Sequence, residues 1–124
     1  MLLDADVIID FYKGQSNALD WFNTLNEIPS LSGIAVLEVL FGSRDKQELA
    51  RIKKFLNQFV VIWPSKDDMI AASGMAPLHL SHALGLQDAL IAATCIRLGE
   101  IIVTLNLKHF KAVPGLSILK PYTK

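Results

Sequence analysis

Asp4, Asp6, Glu38, Asp88 and Asn106 each lie inside or beside an apolar run, where acids and amides are out of place unless they have work to do. Leu2-Leu3-Asp4-Ala5-Asp6-Val7-Ile8-Ile9 and Asp88-Ala89-Leu90-Ile91-Ala92-Ala93 would each bury a carboxylate, which is costly without a compensating charge. No Lys or Arg lies within five residues of Asp4 or Asp88, so a local ion pair is a poor partner and a shared cation a natural one. Carboxylates about 4 Å apart repel by roughly 1 kcal/mol in water and about 4 kcal/mol at an intermediate dielectric, so a cluster persists only if a cation or protons intervene. Oxygen donors without Cys or clustered His suit magnesium or manganese, which keep waters and bind phosphate oxygens. Such an ion lowers the pKa of a bound water, orients it for in-line attack on phosphorus and neutralises the leaving oxygen. The chemistry implied is phosphodiester hydrolysis.

These residues need elements that bring them together. Leu2 to Asp6 reads as a short strand, and Val7-Ile8-Ile9 with Phe11-Tyr12 as a helix stopped at Gly14. Ser16 is expected to cap a second helix running to about Asn26, with Leu19, Phe22 and Leu25 at helical spacing. A strand near Leu31 to Gly33 leads into a helix from about Ala35 to Gly42 that carries Glu38 in its first turns. A charged amphipathic helix follows from Asp45 to Gln58, burying Leu49, Ile52, Phe55 and Leu56. Phe59 to Trp63 is β-branched and aromatic and reads as a strand. Ser65 with Asp68 resembles a capping box opening a helix to about Met75, and Pro77 divides it from the next. Gly85 and Gly99 bracket the helix of Asp88; Ile101 to Thr104 is a strand, and Leu116 to Leu119 a short edge strand.

Alternating strands and helices predict an α/β fold, a parallel sheet covered by helices. Ligands of such sheets bind at the carboxyl ends of the strands. Asp4 and Asp6 are expected at the end of the first strand and Asn106 just beyond the strand ending at Thr104, with Glu38 and Asp88 near helix starts on the same edge.

The chain has 124 residues, enough for one domain with a single core, and residues 1–124 are read as one unit. The apolar run Ala89 to Ile96 has eight residues including Thr94, well short of the roughly 18 that a membrane span needs. Asp4, Asp6 and Asp10 spoil any apolar signal core, so a cytoplasmic location is expected. Cys95 is the only cysteine, which excludes an internal disulfide and cysteine-based zinc sites; it is expected to be a buried small hydrophobe. Twelve basic and twelve acidic residues cancel, so any attraction for nucleic acid is local. A hydrophobic share of 52% in so small a chain suggests surface left for a partner, such as a second copy.

Four segments in order carry a family resemblance: Leu2-Leu3-Asp4-Ala5-Asp6-Val7-Ile8-Ile9-Asp10, Ala35-Val36-Leu37-Glu38-Val39-Leu40-Phe41-Gly42, Asp88-Ala89-Leu90-Ile91-Ala92-Ala93-Thr94, and Ile102-Val103-Thr104-Leu105-Asn106-Leu107-Lys108-His109-Phe110 with the Pro114-Gly115-Leu116 tail. With them the chain resembles the PIN-domain ribonucleases, most closely the VapC-type toxins of toxin-antitoxin pairs. The resemblance implies a three-layer α/β/α domain and a magnesium-dependent endoribonuclease, with manganese as a second possible ion. It further implies a homodimer silenced by a cognate antitoxin, with no membrane association. By it, Asp4, Glu38 and Asp88 are the principal metal-coordinating acids, and Asn106 stands at a fourth position that is often Asp. Asp6 occupies a place where the family often has Asn or Ser, and Thr104 would orient a water or phosphate. Ala35, where Thr is common, and Leu105, where Arg is common, depart from the pattern.

Blander and rival readings stand beside this one. Asp88 reads equally as a helix cap, Asp6 as a ligand, as a support behind the ligands or as the cap of the helix that follows, Asn106 as a cap and Asp10 as a solvated residue. His79, His82 and His109 show no metal spacing with the acids and read as surface or packing residues, although His109 beside Lys108 is placed to touch phosphate. Arg44, Lys46, Arg51, Lys53 and Lys54 read as a solvated helix face, and Trp21 and Trp63 as core or dimer-contact aromatics. Asp4-Ala5-Asp6 also fits a haloacid-dehalogenase-like phosphatase, although the Gly-Thr that usually follows is missing. A PIN-like fold kept only as a binding module is the non-enzymatic alternative.

Overall fold

The computed structural model describes residues 1–124, in which five short strands alternate with eight helices. In chain order these are β1 (Leu2–Leu3), α1 (Ala5–Tyr12), α2 (Ser16–Asn23), β2 (Ser30–Ser32), α3 (Gly33–Phe41), α4 (Lys46–Leu56), β3 (Val61–Ile62), α5 (Lys66–Ser73), α6 (Ala76–His82), α7 (Leu86–Leu98), β4 (Ile101–Val103), α8 (Leu107–Phe110) and β5 (Ser117–Leu119). The sheet order is β3-β2-β1-β4-β5 and every pairing is parallel. In the central strand Leu2 lies opposite Ser30 and Ile102, and Leu3 opposite Leu31 and Val103.

Side-chain alternation along these short strands divides the core into two layers. Leu2 and Ile102 face a cluster built from Ala72 of α5, Ala89, Ile91, Ala92, Ala93 and Cys95 of α7, and Phe110 of α8. Leu3 and Val103 face the opposite cluster, built from Val7 and Ile8 of α1, Ala35, Val36 and Val39 of α3, and Ile52 and Leu56 of α4. Both faces of the sheet are covered, giving the expected α/β/α sandwich. On the second face Phe11 stacks on Phe22 at 3.6 Å between ring centroids, with Phe55 and Phe59 at 5.6 and 6.2 Å, tying α1 to α2 and α4. Trp21 packs edge-on against Phe22, whereas Trp63 is about half exposed and lies over Gly33. A β-carbon on Gly33 would meet the Trp63 ring at 2.4 Å, so α3 can begin beneath that ring only with glycine there.

The chain leaves β1 towards β2 and β3, then returns to the other side of β1 as β4 and β5. The reversal puts a topological switch point between β1 and β4, where open α/β sheets form a crevice at the carboxyl ends of the strands. Asp4 directly follows β1 and Thr104 directly follows β4, side by side.

The structure shifts several elements from their expected bounds. β1 stops at Leu3, so Asp6 lies in the first turn of α1 and not at the end of a strand; Asp4 instead caps that helix, accepting from the Ala5 N–H at 2.8 Å. Ser16 is already helical, and the Gln15 side chain caps α2 by accepting from Ala18 N–H at 2.9 Å. Ser65 and Asp68 do form a reciprocal capping box. Asp68 is almost fully buried and also takes Thr94 Oγ1 at 2.9 Å and a two-pronged contact from Arg97 at 2.7 and 3.0 Å. Burial pulls its pKa up, but these donors outweigh it and hold the carboxyl down at about 2. The network pins α5 to α7, the helix that carries Asp88.

Asp10 is not solvated as expected but buried, holding the C-terminal tail through Tyr122 Oη at 3.0 Å and Lys124 Nζ at 3.1 Å. Cys95 is buried as expected, which pushes its thiol pKa up to about 12. No helix is long and apolar enough to cross a membrane.

Candidate active site and metal centre

Thr104 is fully buried, and its hydroxyl joins the ends of β4 and β1. It donates to Asp4 Oδ2 at 2.8 Å and accepts the backbone N–H of Asn106 at 3.0 Å; Asp6 Oδ2 lies 3.5 Å away. With its proton given to Asp4 and one lone pair to the Asn106 N–H, Thr104 orients Asp4 from a fully buried position. Asp6 turns back from α1 to accept the Leu105 N–H at 3.0 Å, so the loop after β4 is fastened to both acids of the first segment. That backbone contact is independent of the side chain at position 105, and Ser32 Oγ, 3.4 Å from the Ala35 N–H, caps α3 although Ala35 lacks a hydroxyl.

Asp88 lies in the first turn of α7. The N-cap of that helix is Gly85, with no side-chain cap, and the Asp88 carboxylate instead meets His109 Nδ1 at 3.1 Å. Capping is therefore not what holds Asp88 in place. His109 belongs to the last turn of α8, and its pairing with Asp88 overturns its expected role as a residue apart from the acids. Linear spacing could not find it, because twenty-one positions separate the two along the chain and only the turn of α8 after β4 closes the gap. His79, by contrast, bonds the Leu84 carbonyl and His82 lies beside Ser81, both as structural partners away from the acids.

Electrostatics show that the acids share one region. Asp4 titrates above the usual carboxylate range, chiefly through burial and also through the charge of Asp88, with Thr104, the Ala5 N–H and His109 pulling the other way. Asp6 is pushed up to about 6 by burial, by Asp4 and more weakly by Asp10, against the N–H groups of Leu105 and Val7. Glu38, whose side chain reaches solvent from α3, is raised by partial burial and then by Asp4, Asp88 and Asp6 in turn. Asp88 is raised by burial and by Asp6, and lowered by His109. α3 begins at Gly33, two residues before the expected Ala35, so Glu38 sits in the middle of that helix and not in its first turns. Asp4 at a strand end, Asp6 and Asp88 in first helical turns and Glu38 in mid-helix thus raise one another's pKa values.

Asn106 is exposed and its side chain caps nothing; its backbone is tied to the site, the N–H donating to Thr104 and the carbonyl accepting the His109 N–H at 3.2 Å. No three of the Asp, Glu and His side chains close on a common point within ligand distance. The donor set still fits a hard divalent cation, because magnesium commonly keeps several waters and takes only one or two protein carboxylates. Beside Glu38 a cavity of about 290 Å³ runs along Ile9, Tyr12 and Lys13 to Arg44. A further cavity of about 690 Å³ holds none of the acids; it is apolar and lies among α5, α6 and the start of α7.

The sequence pattern of the PIN domain matches residues 1–116. The chain belongs to the PIN-domain family. It is similar to "Ribonuclease VapC19" of Mycobacterium tuberculosis, with 31% identity over 123 residues that cover 93% of this chain and 95% of that one. It is also similar to "Ribonuclease VapC1" of Rickettsia felis, with 29% identity over 133 residues covering 100% and 98%. Among solved structures it superimposes on a toxin-antitoxin complex from Klebsiella pneumoniae with a TM-score of 0.78 and 27% identity, covering 98% of this chain and 97% of that one. VapBC2 from Rickettsia felis, bound to a DNA fragment from its promoter, shares the fold with a TM-score of 0.80 at 23% identity, over 95% and 96% of the chains.

The raised pKa of Asp6 has a signed consequence. A folded-state value of about 6 against the ordinary 3.8 means that the folded protein holds this proton more tightly than the unfolded chain. The stabilisation is full below the unfolded value and is lost as pH rises through about 6. Asp6→Asn should therefore stabilise the metal-free protein at pH 7 by about 1 kcal/mol, allowing for solvent screening. In urea unfolding the gain should shrink as pH falls from 7 towards 4. A gain that grows on acidification, or a loss at pH 7, would contradict this account of the cluster.

Proposed function

We propose that this protein is a divalent-metal-dependent endoribonuclease, with magnesium or manganese as cofactor, and the toxin of a toxin-antitoxin pair. The observation that carries the reading is the convergence of Asp4, Asp6, Glu38 and Asp88 on the switch point of a PIN-domain sheet. Its ribonuclease relatives support the substrate class, and the toxin-antitoxin complex that shares its fold supports the partner. The same relatives favour neither the haloacid-dehalogenase-like phosphatase nor the inactive binding module.

Asp4, Asp88 and Glu38 would hold the ion, with Asp6 adding charge at its edge. When bound, the ion supplies charge neutralisation at phosphorus and activation of a water for in-line attack. The chain's own groups set the geometry. Thr104 fixes the rotamer of Asp4, the Leu105 N–H fixes Asp6, and the buried floor of β1 and β4 excludes bulk water from beneath them. Lys108 and Lys111, exposed on and beside α8, lie where an RNA backbone would pass. An antitoxin would cover the crevice with a basic side chain that takes the cation's place among the carboxylates. All of this suits a protein acting in the cytoplasm.

A second copy is the expected partner of the α5–α6 face. No residue of α6 is buried, and Leu80 at 88% and Leu86 at 72% exposure flank the 690 Å³ apolar cavity.

Cleavage of single-stranded RNA should require magnesium or manganese and stop in EDTA. Asp4→Asn and Asp88→Asn should each lower the rate by about 10²–10³-fold, the usual loss when one charge-stabilising group is removed. Undiminished cleavage by either variant would refute the assignment. The Leu80→Glu, Leu86→Glu double variant should scatter light as a 13.7 kDa monomer where the unaltered chain scatters as a dimer. Equal masses would remove the second copy from that face.

A further inference from the structure

Asp88 and His109 are placed in the crevice by different elements, α7 and α8, and their facing atoms, Oδ2 and Nδ1, stand 3.1 Å apart. Two ligands at right angles, each about 2.1 Å from one ion, stand about 3.0 Å apart. The observed separation is thus also that of two neighbouring ligands of an octahedral coordination sphere. His109 also acts on the charge of Asp4, so the ring lies within the field of two acids from separate segments. Its side chain is 54% exposed and that of Asp88 only 17%, so the imidazole stands on the solvent side of the pair.

Resting on the metal-centre reading above, we propose that His109 supplies a nitrogen ligand to that centre and makes it prefer manganese to magnesium. Magnesium is a hard ion that seeks oxygen and sheds its water reluctantly. First-row divalent ions accept imidazole nitrogen more readily, so one nitrogen in an otherwise oxygen site discriminates between ions whose charges are equal. The carboxylates supply attraction common to both ions; His109 supplies the difference. Asn106 has no part in this set, since its side chain is exposed and joins neither the acids nor the imidazole.

The test uses the full chain and the metals alone, with no RNA. Manganese is titrated by electron paramagnetic resonance, and nitrogen coupling to the bound ion is read by electron spin echo modulation. The unaltered protein should show imidazole nitrogen modulation, and His109→Gln should lose it. That variant should bind manganese about tenfold more weakly, while magnesium affinity, read by competition, changes by less than about twofold. Far-ultraviolet circular dichroism establishes that the variant is folded. His109→Glu, which returns an oxygen donor, should bind both ions without nitrogen modulation and reverse the preference. Manganese bound without nitrogen coupling, or equal losses for both ions in His109→Gln, would overturn the role of His109 and leave the carboxylate centre standing. Manganese binding that is absent, or that survives Asp4→Asn with Asp88→Asn, would sink the centre itself and this inference with it.

Discussion

Four carboxyls are held close enough to raise one another's pKa values, and three of them, Asp4, Asp6 and Asp88, are also partly or wholly withdrawn from water. Asp4 is the hardest to accommodate, being 7% exposed at the middle of the sheet. Its position is enforced by the backbone bond from its own N–H to Val103, by the Ala5 N–H and by the hydroxyl of Thr104. Because β1 and β4 are neighbours across the topological reversal, holding one strand end holds the other. The repulsion among Asp4, Asp6, Glu38 and Asp88 is therefore held in a rigid frame, and it is this repulsion that the proposed cation would relieve.

The two apolar layers supply what that frame costs. Leu2 with Ile102 and Leu3 with Val103 send alternate side chains into opposite layers, so strands of only two or three residues suffice to anchor α7 on one side and α1 and α3 on the other. Buried polar links then fix the helices that bear acids. Asp68 with Arg97 and Thr94 locks α7 against α5, while Asp10 with Tyr122 and Lys124 straps the C-terminal tail over α1. Every buried side-chain donor or acceptor in the molecule has a partner, so the mutual repulsion of the acids is confined to the crevice.

Much of this was legible in the sequence. Apolar runs interrupted by acids located Asp4, Asp6, Glu38 and Asp88, and strand-helix alternation gave the parallel sheet and the edge on which the acids meet. Local signals with a strong physical basis held well, such as the Ser65 and Asp68 capping box and the glycines around α7. What failed depended on contacts distant along the chain. Asp10 read as solvated because its partners, Tyr122 and Lys124, lie more than a hundred positions away. His109 read as peripheral because the helical turn that swings it to Asp88 leaves no periodic trace in so short an element. The bonds by which Thr104 joins Asp4 to the Asn106 N–H likewise have no local signal, because Asp4 lies a hundred positions away.

The account is tested most directly by the dependence of folding stability on magnesium and manganese concentration. An ion that relieves the repulsion binds the folded chain alone, so the unfolding free energy should rise with the logarithm of its concentration, by about 2.7 kcal/mol at a hundred times the dissociation constant. Replacing Asp4 and Asp88 together by Asn should abolish that rise while leaving the metal-free protein folded. A stability that ignores both ions, or that responds equally in the unaltered chain and the double variant, would contradict the claim that these carboxylates are gathered to hold a metal.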